Sequence, residues 1–345
     1  MQSNNKESGK PLSKSIVFAP SLKTPNLSIV TAFQILIKAA GLRTLWLGIA
    51  SVVAGTAAAA AHGNLQPFPA LACLLFAIFA QCASNVMHRY YDAKNGYGEN
   101  EENNIVYADD IDRPLTYILK EGIQVFSILT ATAGLAVLSM AGWWTILFAA
   151  FIAIIVVISN TGPHPLCRSV FYPVATFLIF GPIAVVGTAF VQSQHEALAL
   201  FSWWDLMPAL ILGMITGMMA ENCHVIFGVF HRRNNVTSSR TTFFGRYGNA
   251  ATGLLLVIST LASGLIGIMA PFWMDIDDGY IYMPVPVLSM ILGFVAISLM
   301  RKPRYSKVAW RLSLVNIVLF AVLSLIIFYF IGYPEGYIEE SSLII

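Results

Sequence analysis

The sequence predicts an all-α, polytopic integral membrane protein of about nine transmembrane helices, on three observations. First, 57% of the 345 residues are hydrophobic and only 11% are charged, about half the charged share of an ordinary soluble domain. Second, apolar stretches long enough to cross a hydrocarbon core, which takes about 20 helical residues, recur along the chain. Third, the basic residues all fall on one side of the topology that these stretches define.

Nine apolar stretches are the candidate spans. Each is expected to be helical, because a helix satisfies all of its backbone hydrogen bonds within the bilayer. Their predicted bounds are 43 to 63, 67 to 88, 119 to 140, 143 to 160, 169 to 190, 204 to 227, 250 to 271, 284 to 300 and 309 to 332.

The flanks of this region are polar or too short to span. Residues 1 to 26 carry four lysines and lack the apolar core and cleavage site of a signal peptide, so we expect a flexible cytosolic tail. Residues 28 to 39 are apolar but short, which favours an interfacial helix. The transmembrane domain is therefore predicted over residues 27 to 333, with a short outer tail over residues 334 to 345.

The charge distribution predicts the orientation. With nine spans and a cytosolic N-terminus, none of the outer segments contains Lys or Arg, so all 20 basic residues lie on the inner side. Basic loops stay in the cytosol. We therefore expect a multi-pass protein of the plasma (inner) membrane, with its N-terminus cytoplasmic and its C-terminus outside. Membrane lipids are expected partners, and nucleic acid is not, because this topology already explains the short basic clusters.

Two inner segments, residues 89 to 118 and 228 to 249, are much longer than the other loops. Function is expected there, because loops carried on a rigid scaffold commonly hold functional residues. The two segments share a His-Arg-x-x-Asp/Asn pattern, which reads His88-Arg89-x-x-Asp92 in the first and His231-Arg232-x-x-Asn235 in the second.

Three polar residues, Glu221, Asn222 and His224, lie within the apolar run of the sixth span. Ionisable groups at membrane depth are costly and normally face a bundle interior or a wet cavity. One interpretation is that Glu221 and His224, one turn apart, satisfy each other. The other is that all three line a polar cavity together with Asn85 and His88.

The run from Asn85 to Gly96, NVMHRYYDAKNG, resembles the first signature of the UbiA superfamily of intramembrane prenyltransferases. It is most similar to the 1,4-dihydroxy-2-naphthoate branch, which serves menaquinone biosynthesis. Further segments resemble that branch at Leu42 to Leu45, Gly162 to Leu166, Phe180 to Thr188 and Thr242 to Gly248. The resemblance covers about residues 38 to 332 and implies a UbiA-like bundle of nine helices.

The resemblance also implies an activity. A polyprenyl group would move from its diphosphate to an aromatic, naphthoate- or quinone-like acceptor at the cytoplasmic face. The family holds Mg²⁺ between two aspartate-rich motifs, because the metal neutralises the diphosphate leaving group. This chain keeps Asp92 but departs from the family at four acid positions, which hold Arg89, Gly98, His231 and Asn235.

The residues that the resemblance and the polar pattern place at the site have three expected roles. The expected catalytic residues are Asp92 and the two tyrosines whose ring faces would stabilise an allylic cation, Tyr90 and Tyr91. Substrate binding is expected from polar and basic residues suited to phosphate oxygens: Arg43, Asn85, His88, Arg89, Lys94, Asn222, His231, Arg232, Arg233 and Arg240. The expected metal ligands are Asp92, Glu99, Glu221 and Asn235.

The lost acids leave alternatives open. A degenerate family member would bind an isoprenoid or quinone-like lipid without transferring it. A small-molecule transporter would use the Gly and Pro breaks at Gly181-Pro182 and Pro284-Val-Pro286. A carboxylate-bridged metal oxidase would need more facing carboxylates than the sequence offers.

Overall fold

A computed structural model of the protein describes residues 29–94, 115–143, 145–161, 165–193, 206–234, 243–274 and 279–331. Over these ranges the secondary structure is helical with no strand, which confirms the predicted all-α class. The helices are α1 Ile29–Ala40, α2 Leu45–Ala61, α3 Pro67–Lys94, α4 Leu115–Ala141, α5 Thr145–Asn160, α6 Tyr172–Leu178, α7 Ala184–Gln192, α8 Met207–Asn234, α9 Phe243–Met274, α10 Pro284–Met300 and α11 Ser306–Ile331. A π-helical turn, Ile179–Ile183, joins α6 to α7.

The nine predicted apolar stretches all correspond to helices, but nine spans is an approximate number. Within the described ranges, seven helical segments are long and apolar enough to cross a membrane, and the bent pair α1 and α2 makes eight if it counts as one span. The remaining helix, α5, has only 16 residues.

Helices extend beyond the predicted span bounds into both segments singled out for function, and α9 begins at Phe243 where its span was predicted from 250. The helix predicted to end at 88 continues to Lys94, and the one predicted to end at 227 continues to Asn234. Hydropathy marks where the apolar surface stops, whereas backbone hydrogen bonding carries the helix on through polar residues of adequate helix propensity. The residues from His88 to Asp92 are therefore helical and share the register of α3.

The chain bends by 54° between α1 and α2. Gly41 has a φ of +62° at this bend, a conformation that favours glycine. The Thr44 hydroxyl donates a hydrogen bond to the Gly41 carbonyl oxygen at 2.9 Å. The bend lets α1 pack on α3 and α4 while α2 enters the centre of the bundle.

Helices α2 and α8 form the centre of the bundle. Most of α2 is buried, and it packs against α3, α7, α8 and α11. Its small residues allow this close packing, since a Cβ on Gly55 would lie only 2.7 Å from the Val185 carbonyl oxygen. The π-helical turn approaches α8 in the same way, through Gly181.

Candidate functional site

A cavity of about 770 Å³ lies among α2, α3, α4, α5, α6 and α7. Its walls are mostly apolar, with side chains such as Phe76, Ala80 and Ile152. Several polar groups line the end where α2 begins and α5 stops: Thr44, Gln81, Ser84, Asn85, Ser159, Tyr172 and His224. We call this end the polar end. The cavity can therefore take an elongated apolar molecule that carries polar groups at one end.

The polar end is built on the bend between α1 and α2. The Asn85 amide Nδ2 donates to the Ala40 carbonyl oxygen at 2.7 Å and to the Thr44 hydroxyl at 2.9 Å. The Gln81 amide Nε2 donates to the Thr44 carbonyl oxygen at 2.6 Å. These bonds fix one face of α3 against the bend, so Asn85 is a structural residue as well as a cavity-lining one.

Two oxygens at the polar end have no protein partner among the described residues, Gln81 Oε1 and Ser159 Oγ. Ser159 itself is only 5% exposed. A buried polar atom without a hydrogen bond costs free energy. Both atoms therefore suit a ligand that brings its own polar groups, such as ring hydroxyls, to this end.

Beyond Asn85, the same face of α3 carries His88 and Asp92, one and two turns further on. The Arg168 guanidinium donates through Nη2 to Asp92 Oδ1 in a short ion pair. The His88 Nε2 atom lies 3.3 Å from Asp92 Oδ2, and His88 Nδ1 lies 3.5 Å from the Cys167 sulfur. We call these four residues, His88, Asp92, Cys167 and Arg168, the Asp92 network.

Burial sets the protonation of the Cys167 thiol. Burial raises the pKa of the Cys167 thiol to about 12, and the negative charge of Asp92 adds to the shift. The thiol is therefore protonated at neutral pH and suits donation to His88 Nδ1.

The two tyrosines expected to shield a cation lie on different faces of α3. Tyr90 packs into the apolar cluster that α3 forms with α1 and α4, which includes Val86 and Leu119. Tyr91 is half-buried, stands edge-on to Tyr90 at 5.1 Å between ring centroids, and has Lys94 Nζ 5.9 Å from its ring centroid. Neither ring lines the cavity.

The three polar residues of α8 separate in the structure. His224 lines the polar end, with its ring 5.3 Å from the Tyr172 ring and 6.2 Å from the Phe180 ring. Asn222 faces α9 instead, where its Nδ2 donates to the Thr260 hydroxyl at 3.1 Å. The structure thus brings His224 to the cavity with Asn85, and places Asn222 in a separate polar cluster between α8 and α9.

The other residues expected at the site occupy three kinds of position. Arg43 is exposed on the α1–α2 bend, Arg89 is half-buried on α3, and Glu221 is half-buried on α8. Outside the described residues lie Glu99, Asn235 and Arg240, together with Gly98. The backbone of α8 includes His231, Arg232 and Arg233, whose side chains are not among those described.

Five residues at the site were not predicted from the sequence: Arg168, Cys167, Gln81, Ser159 and Tyr172. One signal for Arg168 was present, because it is the sole Lys or Arg in the short inner segment between the fourth and fifth predicted spans. No comparable signal marked Gln81 or Ser159, since a single polar residue in an apolar helix usually reflects packing.

The expected Mg²⁺ site does not fit the residues that the structure describes. Among them, no group of three or more His, Cys, Asp or Glu side chains is placed to hold a metal ion. Both carboxylate oxygens of Asp92 already contact cationic or donor groups of the protein. Mg²⁺ beside a diphosphate usually takes one or two protein carboxylates, with water and phosphate oxygens completing its octahedron, and the Asp92 carboxylate is already engaged by Arg168 and His88.

Sequence comparison finds two mycobacterial relatives over most of the chain. A protein named 1,4-dihydroxy-2-naphthoate octaprenyltransferase from Mycobacterium tuberculosis is 26% identical over 304 residues, covering 82% of this chain and 96% of that protein. A protein of the same name from Mycobacterium leprae is 24% identical over 281 residues, covering 79% of this chain and 91% of that protein.

Two solved structures share the fold. A UbiA homolog from Archaeoglobus fulgidus, bound to DMAPP and Mg²⁺, aligns with a TM-score of 0.57 at 12% identity, over 84% of this chain and 98% of that one. A digeranylgeranylglyceryl phosphate synthase aligns with a TM-score of 0.54 at 13% identity, over 85% and 99%.

The family model settles the membership. The model of the UbiA prenyltransferase family matches residues 47–320, which run from α2 into α11 and include every residue that lines the cavity except Thr44. The protein is a multi-pass, all-α membrane protein that belongs to the UbiA prenyltransferase family.

Proposed function

We propose that this protein transfers a polyprenyl group from its diphosphate to an aromatic acceptor of the naphthoate or quinone type. One observation carries the proposal: the cavity of about 770 Å³ is apolar along its walls and polar at the end nearest the Asp92 network. An apolar wall suits a prenyl chain, and a polar end beside cationic side chains suits the diphosphate and the acceptor ring. Relatives named for naphthoate prenylation support this choice of acceptor.

The donor diphosphate belongs at the inner end of α3. Arg89 and Lys94 lie on the last two turns of that helix, and Arg168 reaches Asp92, on the same stretch of α3, from the turn before α6. Guanidinium groups present parallel donors that match phosphate oxygens. They would stabilise the charge that the leaving diphosphate gains when its bond to the prenyl carbon breaks.

The allylic cation formed by that cleavage needs electron-rich faces and no water. Tyr172, Phe180 and His224 put three rings together at the polar end, in place of the Tyr90 and Tyr91 rings expected from sequence. Aromatic faces attract cations, and the apolar walls keep water from the cation. A ring carbon of the acceptor then bonds to the cation, and the ring regains aromaticity by releasing a proton or carbon dioxide from that carbon.

The acceptor ring is placed by the unpartnered oxygens. Gln81 Oε1 can accept a hydrogen bond from a ring hydroxyl, and Ser159 Oγ can accept or donate one. We propose that this end opens to the cytoplasm in the inner membrane, with the N-terminus inside and the C-terminus outside, because basic residues gather on that side.

The test is turnover by the purified protein in lipid nanodiscs. Radiolabelled geranylgeranyl diphosphate is offered with 1,4-dihydroxy-2-naphthoate, and prenylated product is measured by chromatography. We expect product from the wild type and none from Ala80→Trp, which fills the cavity. The matched control is Ala250→Trp, an exposed position on α9 outside the cavity.

A second function is supported by the ion pair of Asp92 with Arg168. If the site binds the diphosphate through Arg168 but does not cleave its bond to the prenyl carbon, the protein binds an isoprenoid diphosphate without transferring the chain. Tight binding of the labelled donor with no product, under conditions in which the M. tuberculosis relative forms product, would establish that function. Absence of both binding and product would exclude both functions.

A further inference from the structure

Both oxygens of the Asp92 carboxylate are engaged by the protein. Oδ1 accepts from the Arg168 guanidinium, and Oδ2 faces His88 Nε2 at 3.3 Å. The Asp92 side chain is only 13% exposed and that of Arg168 is 16% exposed. The pair is therefore largely shielded from water, where ion pairs are screened far less than at an open surface.

A short turn held by backbone hydrogen bonds places Arg168 next to Asp92. Its own N–H donates to the Pro165 carbonyl oxygen at 3.0 Å, and the Ser169 N–H donates to the Leu166 carbonyl oxygen at 2.9 Å. Helix α6 begins three residues later, with Pro173 in its first turn. The backbone of this turn thus fixes where the guanidinium can reach.

A divalent metal at Asp92 would have to displace Arg168. That would leave a largely buried guanidinium without its carboxylate, and a guanidinium cannot shed its charge by losing a proton. Removing one partner from a buried pair is strongly unfavourable. The position that a metal would take on Asp92 is therefore held by a cation of the protein itself.

We propose that Arg168 replaces the divalent metal at Asp92, so that this protein binds the diphosphate of its prenyl donor without Mg²⁺ at that residue. Arg168 is a diphosphate-binding residue, and Asp92 with His88 acts as its positioning pair. A guanidinium has five N–H donors in a planar fork, which allows it to bridge a carboxylate and a phosphate. This inference rests on the proposed function and deepens it.

The charges on α3 agree with this role. Arg89 stands at a position where the family has an acid, and Lys94 ends the helix. Arg89 puts a fixed cation where an acid would hold the metal. Lys94 adds a second positive charge to the same end of the helix. The described part of the site therefore supplies positive charge from side chains, whereas the resemblance to the family implies that Mg²⁺ supplies it.

The experiment is equilibrium binding of geranylgeranyl diphosphate to the full chain in nanodiscs, measured once with EDTA and once with Mg²⁺. We expect the wild-type Kd to be the same in both buffers. Arg168→Gln should raise Kd about 10- to 100-fold in both, the loss that follows removal of a charge-assisted hydrogen bond. Arg168→Lys should recover part of the affinity, because an ammonium keeps the charge but loses the fork.

The matched control is Arg301→Gln, an exposed arginine at the end of α10, whose Kd should equal that of the wild type. Thermal unfolding of each variant shows whether it folds. If Arg168→Gln does not fold, the EDTA comparison on the wild type still tests whether Mg²⁺ is needed, and Arg168→Lys, with an affinity below that of the wild type, still tests the role of Arg168.

The possible failures are distinct. Wild-type binding that appears only with Mg²⁺ overturns this inference and leaves the proposed function standing. Wild-type binding in EDTA with no loss in Arg168→Gln removes Arg168 from the site. No binding of the donor in either buffer overturns the proposed function itself.

Discussion

The contact between the π-helical turn and α8 makes a sharp prediction for Gly181→Ala. A Cβ on Gly181 would lie 2.5 Å from the Gly213 carbonyl oxygen and 2.6 Å from the Gly217 Cα. Both are backbone atoms of a central helix, so neither can rotate away. In the same turn, the Phe180 carbonyl oxygen accepts a hydrogen bond from the Ser51 hydroxyl at 2.6 Å, which attaches this wall of the cavity to α2.

The expected cost is that of overpacking, about 1–3 kcal/mol. Gly181 has a non-helical φ/ψ of −107° and −111°, so alanine gains no helix propensity there to offset the cost. Gly187→Ala on α7 is the matched control, because its Cβ would lie 3.5 Å from Phe148 Cδ1, an ordinary contact. Alanine at 187 should be neutral or stabilising by up to about 1 kcal/mol from helix propensity.

The assay is reversible unfolding in mixed micelles by SDS titration, with the free energy of unfolding compared between the two variants. We expect Gly181→Ala to be less stable than Gly187→Ala by about 1–4 kcal/mol. The affinity for the prenyl donor should fall as well, because Phe180 lies in the turn and lines the cavity. Equal free energies for the two variants would refute the close approach of the turn to α8.

Three further predictions follow from single side chains. Asn85→Ala removes two hydrogen bonds to the α1–α2 bend and should lower the free energy of unfolding by about 1–3 kcal/mol. In the same SDS titration the control Asn249→Ala, at an exposed position on α9, should leave the free energy of unfolding unchanged. An equal loss in both variants would contradict the role of the bend. The Cys167 thiol has a pKa raised to about 12, so at pH 8 it should react with iodoacetamide far more slowly in the folded protein than in SDS. The rate in the folded protein should increase as the pH rises toward that pKa. Mass spectrometry of the peptide that contains Cys167 measures both rates. A folded-state rate at pH 8 equal to the rate in SDS would refute this burial. Gln81→Leu should raise the KM for the naphthoate acceptor about 5- to 10-fold with little change in the Kd of the prenyl donor, because the lost oxygen binds the acceptor ring. The control is Gln124→Leu, at an exposed position on α4. A loss of donor affinity alone would show that Gln81 binds the prenyl donor instead.

Part of the candidate site was predictable because it is local. The spacing of Asn85, His88 and Asp92 puts them on one face once the segment is helical, and the family signature drew attention to that run. The helical extension to Lys94 was missed, because hydropathy reports the bilayer boundary and not the end of backbone hydrogen bonding. Tyr90 shares the signature but points toward α1 and α4, since adjacent residues on a helix diverge by about 100°.

The partner of Asp92 was not predictable from local pattern. Arg168 is 76 residues further along the chain, and only the packing of the turn before α6 against α3 brings the two together. The same holds for Asn222 and His224, which are two residues apart yet face different clusters. Which face of α8 meets the cavity depends on how its neighbours pack.

The sequence by itself determined the class and the approximate positions of the spans, because a bilayer demands long apolar helices and leaves its mark on composition and charge. Its local motifs indicated the family. Only the tertiary structure decided that α1 and α2 bend at Gly41, that the cavity forms among α2 to α7, and that the Asp92 carboxylate meets an arginine. The physical reason is that helix formation depends on residues within a few positions, whereas burial, ion pairing and cavity shape depend on contacts between distant segments.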